Sequence, residues 1–314
     1  MLSVIMPAYN AGPFIEEAIE SVLAQSYRNF ELLILDDGST DNTLEIARRF
    51  EGGRVRVFAR KNDGKSSGVN FLTQEAKGEY VVMLDADDIS TPDRLKKIAQ
   101  AFSENSSARI VFSGFGLILE QQRCAPRRIG LSVGDCRELV EEGKMPSHDP
   151  TMAFRRELIS DYQFDRELVI GEGLDFVLRV GEKYDLVVIP DILYFYRIHS
   201  NSITKRLSQK KAEAILAVTN KARTRRKMPL KTLQEVESEL AHYVHDDLNN
   251  LSGHFVDASY LSVSVGRRIE ALSTALVSLK VFFKTKDIRY LKPLAYALSP
   301  KILNFYYRKH HSNA

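Results

Sequence analysis

The chain has 314 residues, 44% of them hydrophobic and 27% charged, enough for one large domain and a smaller one with an ordinary globular core. A net charge of +3 is too small to imply a nucleic-acid partner. Two cysteines, Cys124 and Cys136, in no CxxC or Cys/His spacing, argue for a reducing compartment and against zinc. The N-terminus opens on Leu2-Ser3-Val4-Ile5-Met6 with no basic region or cleavage site before it, so no secretory signal is expected. No apolar run approaches the roughly 18 residues of a membrane span.

Residues 2–6 predict a first buried strand, and Pro7-Ala8-Tyr9-Asn10-Ala11-Gly12-Pro13 is a turn rich in breakers. Ile15, Ala18, Ile19, Val22 and Leu23 then repeat at helical spacing. A second strand, Phe30 to Leu35, runs into Asp36-Asp37-Gly38-Ser39-Thr40-Asp41. A helix over 43–50 and a strand over 54–59 follow, then a glycine-bearing loop over 61–68 and a helix over 69–76. Gly78 precedes the next strand, Tyr80-Val81-Val82-Met83-Leu84, which leads directly into Asp85-Ala86-Asp87-Asp88. This alternation of strand and helix calls for a mostly parallel sheet.

The pattern continues with a helix over 92–104, a β-rich stretch over 109–120, a basic loop over 121–134 and a short helix over 135–142. A second loop, Met145 to Pro150, leads to a strand over 151–154. The spacing then predicts a helix over 171–181 and paired strands over 185–189 and 193–197, ending at His199. After about Thr204 the chain turns helical and basic. From Lys280 onward eight Lys/Arg stand against one acid, Asp287, interleaved with aromatic residues. Two readings fit that segment: a face lying on anionic lipid, or a helical appendage whose aromatics pack on the rest of the protein.

Asp85, Asp87 and Asp88 fall at the C-terminal end of a strand, where open α/β sheets bind ligands. Carboxylates set side by side repel unless a cation lies between them. Ligands that are all oxygen favour Mg²⁺ or Mn²⁺, ions that commonly bridge protein to phosphate. The competing reading is a pair of solvated turn acids capping the next helix. The loops at Pro7–Asn10, Asp36–Asp41 and Asp85–Asp88 should converge on one crevice. Neither GxGxxG nor a GxxxxGK[ST] loop is present, so the expected site reads a nucleotide through carboxylates and a metal.

The ordered set Ser3-Val4-Ile5-Met6-Pro7-Ala8-Tyr9-Asn10, Gln25-Ser26-Tyr27, Glu31 to Asp41, Ala76-Lys77-Gly78-Glu79-Tyr80, Leu84 to Asp88, Pro92-Asp93-Arg94-Leu95 and Tyr196-Arg197-Ile198-His199 resembles the family 2 glycosyltransferases. These are inverting enzymes of the GT-A class that use nucleotide-sugar donors. The resemblance implies an α/β, Rossmann-like fold with a mostly parallel central sheet and flanking helices over residues 1–204. A C-terminal helical extension over 205–314 would follow.

The resemblance also implies site roles. Pro7, Ala8, Tyr9 and Asn10 would line the base pocket, and Asp37 would accept the uracil imide N–H, a role that suits an ionised carboxylate. Asp85 and Ala86 would reach the ribose or the metal's water shell. Asp87 would bind the divalent cation, Mn²⁺ or Mg²⁺, with His199 completing the site. Lys65 or Asn70 would touch the nucleotide, and His148 would face the acceptor. Family members carry Glu-Asp-x-Asp at the start of the helix that here begins Gly171-Glu172-Gly173-Leu174-Asp175, and the Asp after the Glu is the base. Gly173 stands there in this chain, leaving Glu172, the favoured substitute, and Asp175.

The expected activity is transfer of a hexose or N-acetylhexosamine from a UDP-sugar to a saccharide acceptor, a surface polysaccharide or lipid-linked oligosaccharide. It would take place in the cytoplasm, peripheral on the inner face of the membrane. Gly173 keeps a rival open, a non-catalytic nucleotide-sugar-binding or assembly subunit. A sugar nucleotidyltransferase is disfavoured, because Pro7–Asn10 offers no glycine- and Arg/Lys-rich loop.

Overall fold

The structure, a computed structural model, describes residues 1–119, 122–127, 130–197 and 208–239. His199 and the basic, aromatic segment after Lys280 lie outside the described residues. Four strands, β1 (Leu2–Ala8), β2 (Phe30–Asp36), β3 (Val55–Ala59) and β4 (Tyr80–Met83), pair parallel in the order β3-β2-β1-β4. Helices α1 (Ile15–Leu23), α2 (Thr43–Arg48) and α3 (Lys65–Glu75) connect them.

Every residue of β2 is buried, because both faces of this sheet are covered. Val4, Met6, Leu32 and Ile34 pack with α1 and α2 on one face, and Ile5, Leu33 and Leu35 with Val69 and Leu72 of α3 on the other. That is why the strands read as unbroken apolar runs. The register sets Ala8 beside Asp36 and Asp36 beside Ala59, so the loops after these strands open along one edge of the sheet.

Past β4 the sheet continues through β5 (Ile89–Ser90), β6 (Ala108–Leu119), β8 (Ala153–Arg155) and β9 (Asp185–Arg197), in the order β4-β8-β6-β9-β5. The pairs β4·β8, β6·β8 and β5·β9 are antiparallel, and β7 (Gln122–Arg127) pairs with β6. Helices α4 (Arg94–Glu104), α5 (Val133–Glu141) and α6 (Glu172–Gly181) complete this half. The mixed α/β architecture is the one the sequence predicts.

Three local expectations are corrected. The segment 61–68 is only half loop, because α3 begins at Lys65 behind Gly64, whose φ of +86° suits glycine. Ser66, Ser67 and Gly68 are poor helix formers that hide the first turn. Gly68 packs closely there, since a Cβ would meet Leu35 Cδ2 at 3.3 Å and Pro7 Cβ at 3.5 Å. The expected paired strands at 185–197 are one continuous strand. Pro190 breaks no ladder there, because the flanking anchors are Val188 with Leu131 and Tyr194 and Phe195 with β5. The basic loop at 121–134 contains β7, and α5 starts earlier than expected on a capping box between Ser132 and Asp135, which satisfies two helix-end donors.

Residues 1–115 and 128–236 form one compact unit, while residues 116–127 fall to a second. Helix α7 (Ser208–Arg225) belongs to the first unit, beyond the expected boundary at 204, with Val218 and Ala222 buried in its core. Among the described residues no helix is long and apolar enough to cross a membrane.

A buried polar tie fixes the base of the sheet. Ser3 Oγ donates to Glu31 Oε1 (2.7 Å), which also accepts from Lys77 N (2.6 Å), while Gly78 N donates to Ser3 Oγ (2.8 Å). A Cβ on Gly78 would stand 2.7 Å from Ser3 N and 2.9 Å from the Leu2 carbonyl carbon, both backbone atoms of a central strand. Gly78→Ala is expected to destabilise the fold by about 1–3 kcal/mol, read as a lower urea midpoint with unchanged slope.

Candidate active site

Leu84 N donates to Ile5 O and ends β4 in step with β1, after which the backbone turns and presents Asp85, Asp87 and Asp88. One oxygen from each carboxylate lies within 4.8 Å of the others. Three carboxylates this close are hard to keep ionised without a cation, and an all-oxygen set suits a hard divalent ion. Asp88 is fully buried. Its Oδ2 accepts from Tyr194 Oη (2.5 Å) and its Oδ1 from Arg197 N (2.7 Å). Burial, then the charges of Asp87 and Asp85, hold its carboxyl well above the usual carboxylate range.

Beneath the cluster lies Arg94, completely buried. Its Nη2 donates to Met83 O (2.8 Å) and Pro150 O (2.9 Å), its Nη1 to Ser90 Oγ (3.1 Å), and its guanidinium lies 4.7 Å from the centre of the Tyr194 ring. Burial pushes its pKa down to about 10, against the pull of Tyr194, Asp88 and Asp85. Arg197 closes the cluster from β9, donating from Nε to Asp87 O (2.8 Å) and from Nη2 to Glu17 Oε2 (2.6 Å).

A second group of charges lies beside the first. Lys65, the first residue of α3, places Nζ 2.9 Å from Asp85 Oδ1. Burial works against its charge, but Asp85, Glu172 and Asp149 together raise its pKa. Glu172 is the first residue of α6 and is buried. Asp149 opens a 3₁₀ turn (Asp149–Thr151) in the loop between α5 and β8. Burial pushes its carboxyl up to about 7, with Lys65 opposing and Glu172 and Asp85 adding. Its neighbour His148 sits in an aromatic nest, its ring centre 4.8 Å from that of Tyr196 and 5.0 Å from that of Phe115.

At the other end, Asp37 is held by Arg60 Nε at 2.7 Å and by the backbone N–H groups of Asp63 and Gly64. Tyr9 is 53% exposed at the end of β1, while Ala8 is buried. Asn10 adopts φ +51°. It braces the Asp36–Asp41 loop, with Oδ1 accepting from Thr40 N (2.8 Å) and its N–H donating to Ser39 Oγ (2.9 Å).

Of the expected site residues, the structure brings Lys65, Asp85, Asp87 and Glu172 into one charged group. Two others are committed elsewhere. Asn70 is buried, with Nδ2 donating to Phe164 O (2.9 Å) and Oδ1 accepting from Phe164 N (2.8 Å). Asp175 accepts from Arg179 Nε at 2.7 Å and lines a separate surface hollow with Arg179, Lys221 and Arg225. His199 lies outside the described residues.

Sequence reasoning gave no role to Arg60, Arg94, Asp149, Tyr194 or Arg197. Arg60 had a usable signal, since it directly follows a strand parallel to the one ending at Asp36. Arg94 and Tyr194 had none, because a buried arginine and a buried tyrosine look like surface residues until the sheet is assembled.

Residues 3–162 match the model of glycosyl transferase family 2. The chain belongs to that family. It is 36% identical over 114 residues to the glycosyltransferase GlyG of Streptococcus pneumoniae, covering 35% of this chain and 38% of GlyG. It is 30% identical over 215 residues to the putative glycosyltransferase EpsE of Bacillus subtilis, covering 65% of this chain and 76% of EpsE. An uncharacterized glycosyltransferase of Haemophilus influenzae is 29% identical over 219 residues, covering 64% of this chain and 66% of the relative. The match therefore spans from under two-fifths to about two-thirds of GlyG and the Haemophilus relative.

The fold is shared with S. aureus TarS 1-349 in complex with UDP-GlcNAc, at a TM-score of 0.61 and 19% identity over 92% of this chain and 89% of that one. It is also shared with the mannosyltransferase PcManGT of Pyrobaculum calidifontis in complex with GDP-Man and Mn²⁺, at 0.58 and 20% identity over 97% and 86%. Both likenesses bear on the GT-A fold.

Removing the buried guanidinium leaves Met83 O and Pro150 O without the donor they share and takes a positive charge from beneath the acid cluster. Arg94→Leu is expected to cost about 3–5 kcal/mol, measured by urea unfolding of the full chain.

Proposed function

We propose that this glycosyltransferase moves a hexose or N-acetylhexosamine from a UDP-sugar to a hydroxyl of a saccharide acceptor, with inversion. The observation that carries the reading is the acid cluster Asp85–Asp87–Asp88 beside Lys65, at the C-terminal edge of parallel strands that also carry Asp37 and Tyr9. The donor bound to TarS, UDP-GlcNAc, agrees with a uridine diphosphate.

On this reading Tyr9 lies against the base, and Asp37, backed by Arg60, accepts its imide N–H. Asp85 and Asp87 hold a divalent cation, Mn²⁺ or Mg²⁺. When bound, the cation neutralises the diphosphate and stabilises charge on the leaving UDP. Lys65 adds a fixed positive charge on the same side. A carboxylate takes the proton from the acceptor hydroxyl as its oxygen bonds to the anomeric carbon. The bond from that carbon to the β-phosphate oxygen breaks, and UDP leaves with the electron pair. Glu172 and Asp149 are the carboxylates grouped with Lys65 and Asp85; Asp175 is paired with Arg179.

The surface-polysaccharide or lipid-linked acceptor and a location at the inner face of the membrane are part of the proposal, supported by the basic and aromatic sequence after Lys280. Deleting residues 281–314 is expected to abolish sedimentation with anionic phosphatidylglycerol vesicles and to leave UDP binding intact. Continued sedimentation of the truncated chain would remove the lipid contact.

The nucleotide reading is tested by thermal shift. UDP with Mn²⁺ is expected to raise Tm by several degrees, UDP with EDTA far less, and ADP with Mn²⁺ not at all. Asp87→Asn should erase the Mn²⁺-dependent part of the shift. A wild-type protein indifferent to UDP and Mn²⁺ together would end the proposal.

A further inference from the structure

The helix that opens with Glu172 lacks a side chain at Gly173, and another carboxylate fills the vacated space. A Cβ on Gly173 would lie 2.1 Å from Asp149 Oδ1, 2.4 Å from its Cγ and 2.6 Å from its Oδ2. No side chain fits at 173 while Asp149 keeps its place, so the two positions are sterically coupled across 24 residues of sequence.

Resting on the glycosyl-transfer reading above, we propose that Asp149 is the catalytic base of this enzyme, its carboxylate standing where a side chain at 173 would project.

Asp149 is not an ordinary helix cap. A capping carboxylate accepts from the free N–H groups of the first turn, whereas Asp149 Oδ1 is buried without a hydrogen-bond partner. Nor does it form the ion pair its surroundings offer, because Lys65 is spent on Asp85. A buried acceptor left unsatisfied is destabilising, as suits an atom that waits for an acceptor hydroxyl.

The charged groups around it set its strength as a base. Lys65 of α3 favours the carboxylate, while Glu172 of α6 and Asp85 after β4 disfavour it along with burial. The outcome, a carboxyl raised to about 7, is the range in which a base is both ionised and able to take a proton near neutral pH. His148 holds the turn that carries Asp149 through its rings' contacts with Tyr194 and Tyr196, and Arg94 holds its far side at Pro150 O. The reaction balances simply: the acceptor proton passes to a carboxylate oxygen of Asp149 and is returned to solvent after UDP departs.

The test compares Asp149→Asn, Glu172→Gln and the paired exchange Asp149→Gly with Gly173→Asp, all in the full chain. UDP release is followed from UDP-GlcNAc and UDP-glucose with Mn²⁺, using N-acetylglucosamine or water as acceptor, and UDP affinity is measured by calorimetry. Asp149→Asn should lower kcat at least about 100-fold with UDP affinity unchanged, and added formate should restore part of the rate of Asp149→Gly, whose missing side chain leaves room for it. The wild-type rate should rise with pH through about 7, because Asp149 accepts a proton only when ionised, and Glu172→Gln should keep that limb. The paired exchange should recover at least tenfold over Asp149→Gly alone. If Asp149→Asn retains the wild-type rate within about threefold, or if Glu172→Gln alone shows the loss of kcat and of the pH limb, Asp149 is not the base and glycosyl transfer stands. If wild type neither binds UDP nor releases it from either donor, both readings fall.

Discussion

The site depends on the buried guanidinium of Arg94. A charge with no exposed surface costs several kcal/mol unless it is held by good hydrogen bonds, and here its two Nη atoms are held by two carbonyls and a hydroxyl from three separate segments, while Nε has no partner. Met83 O belongs to the last parallel strand, Ser90 to the short strand after the acid turn, and Pro150 to the loop that carries His148 and Asp149. One side chain therefore sets the spacing between the acid cluster and the opposite wall. Its positive charge also lies under Asp88, so the buried acid has a counter-charge through Tyr194 where no direct ion pair exists.

The parallel half of the fold was legible in the sequence because burial on both faces leaves uninterrupted apolar runs, as in Phe30 to Leu35, that end abruptly in acids or breakers. The antiparallel half was legible less exactly. Pro126 and Pro190 read as strand breakers, yet β7 and β9 run through them, since a proline is tolerated wherever its missing N–H is not required by the ladder. The first turn of α3 was hidden for the opposite reason. Its serines and glycine are weak helix formers kept by close packing on Leu35 and Pro7, a tertiary requirement that local propensity does not report.

The site shows the same division. Residues on strand ends, such as Asp37 and Asp85, could be placed because parallel strands bring their C-terminal ends together. Residues whose roles rest on contacts distant in sequence could not. Asn70 looked available to a nucleotide, but both ends of its amide are engaged by the backbone of Phe164. Asp175 looked by spacing to lie on a similar side to the favoured Glu172, but one turn of α6 aims it at Arg179. Gly173 could be recognised as a departure from the family pattern, whereas the carboxylate occupying its space arrives from a loop whose path no periodicity describes.

The charges explain why these parts must act together. Asp85, Asp87, Asp88, Glu172 and Asp149 stand in one region against Lys65, Arg94 and Arg197, so acidic side chains outnumber basic ones there. A diphosphate brought alone into that field would be repelled. A divalent ion held by the acid cluster would relieve both sets of negative charge, which is the electrostatic reason the proposed nucleotide binding is tested with and without metal. Burial first, and then Glu172 and Asp85, raise the carboxyl of Asp149, while Lys65 limits how far it rises.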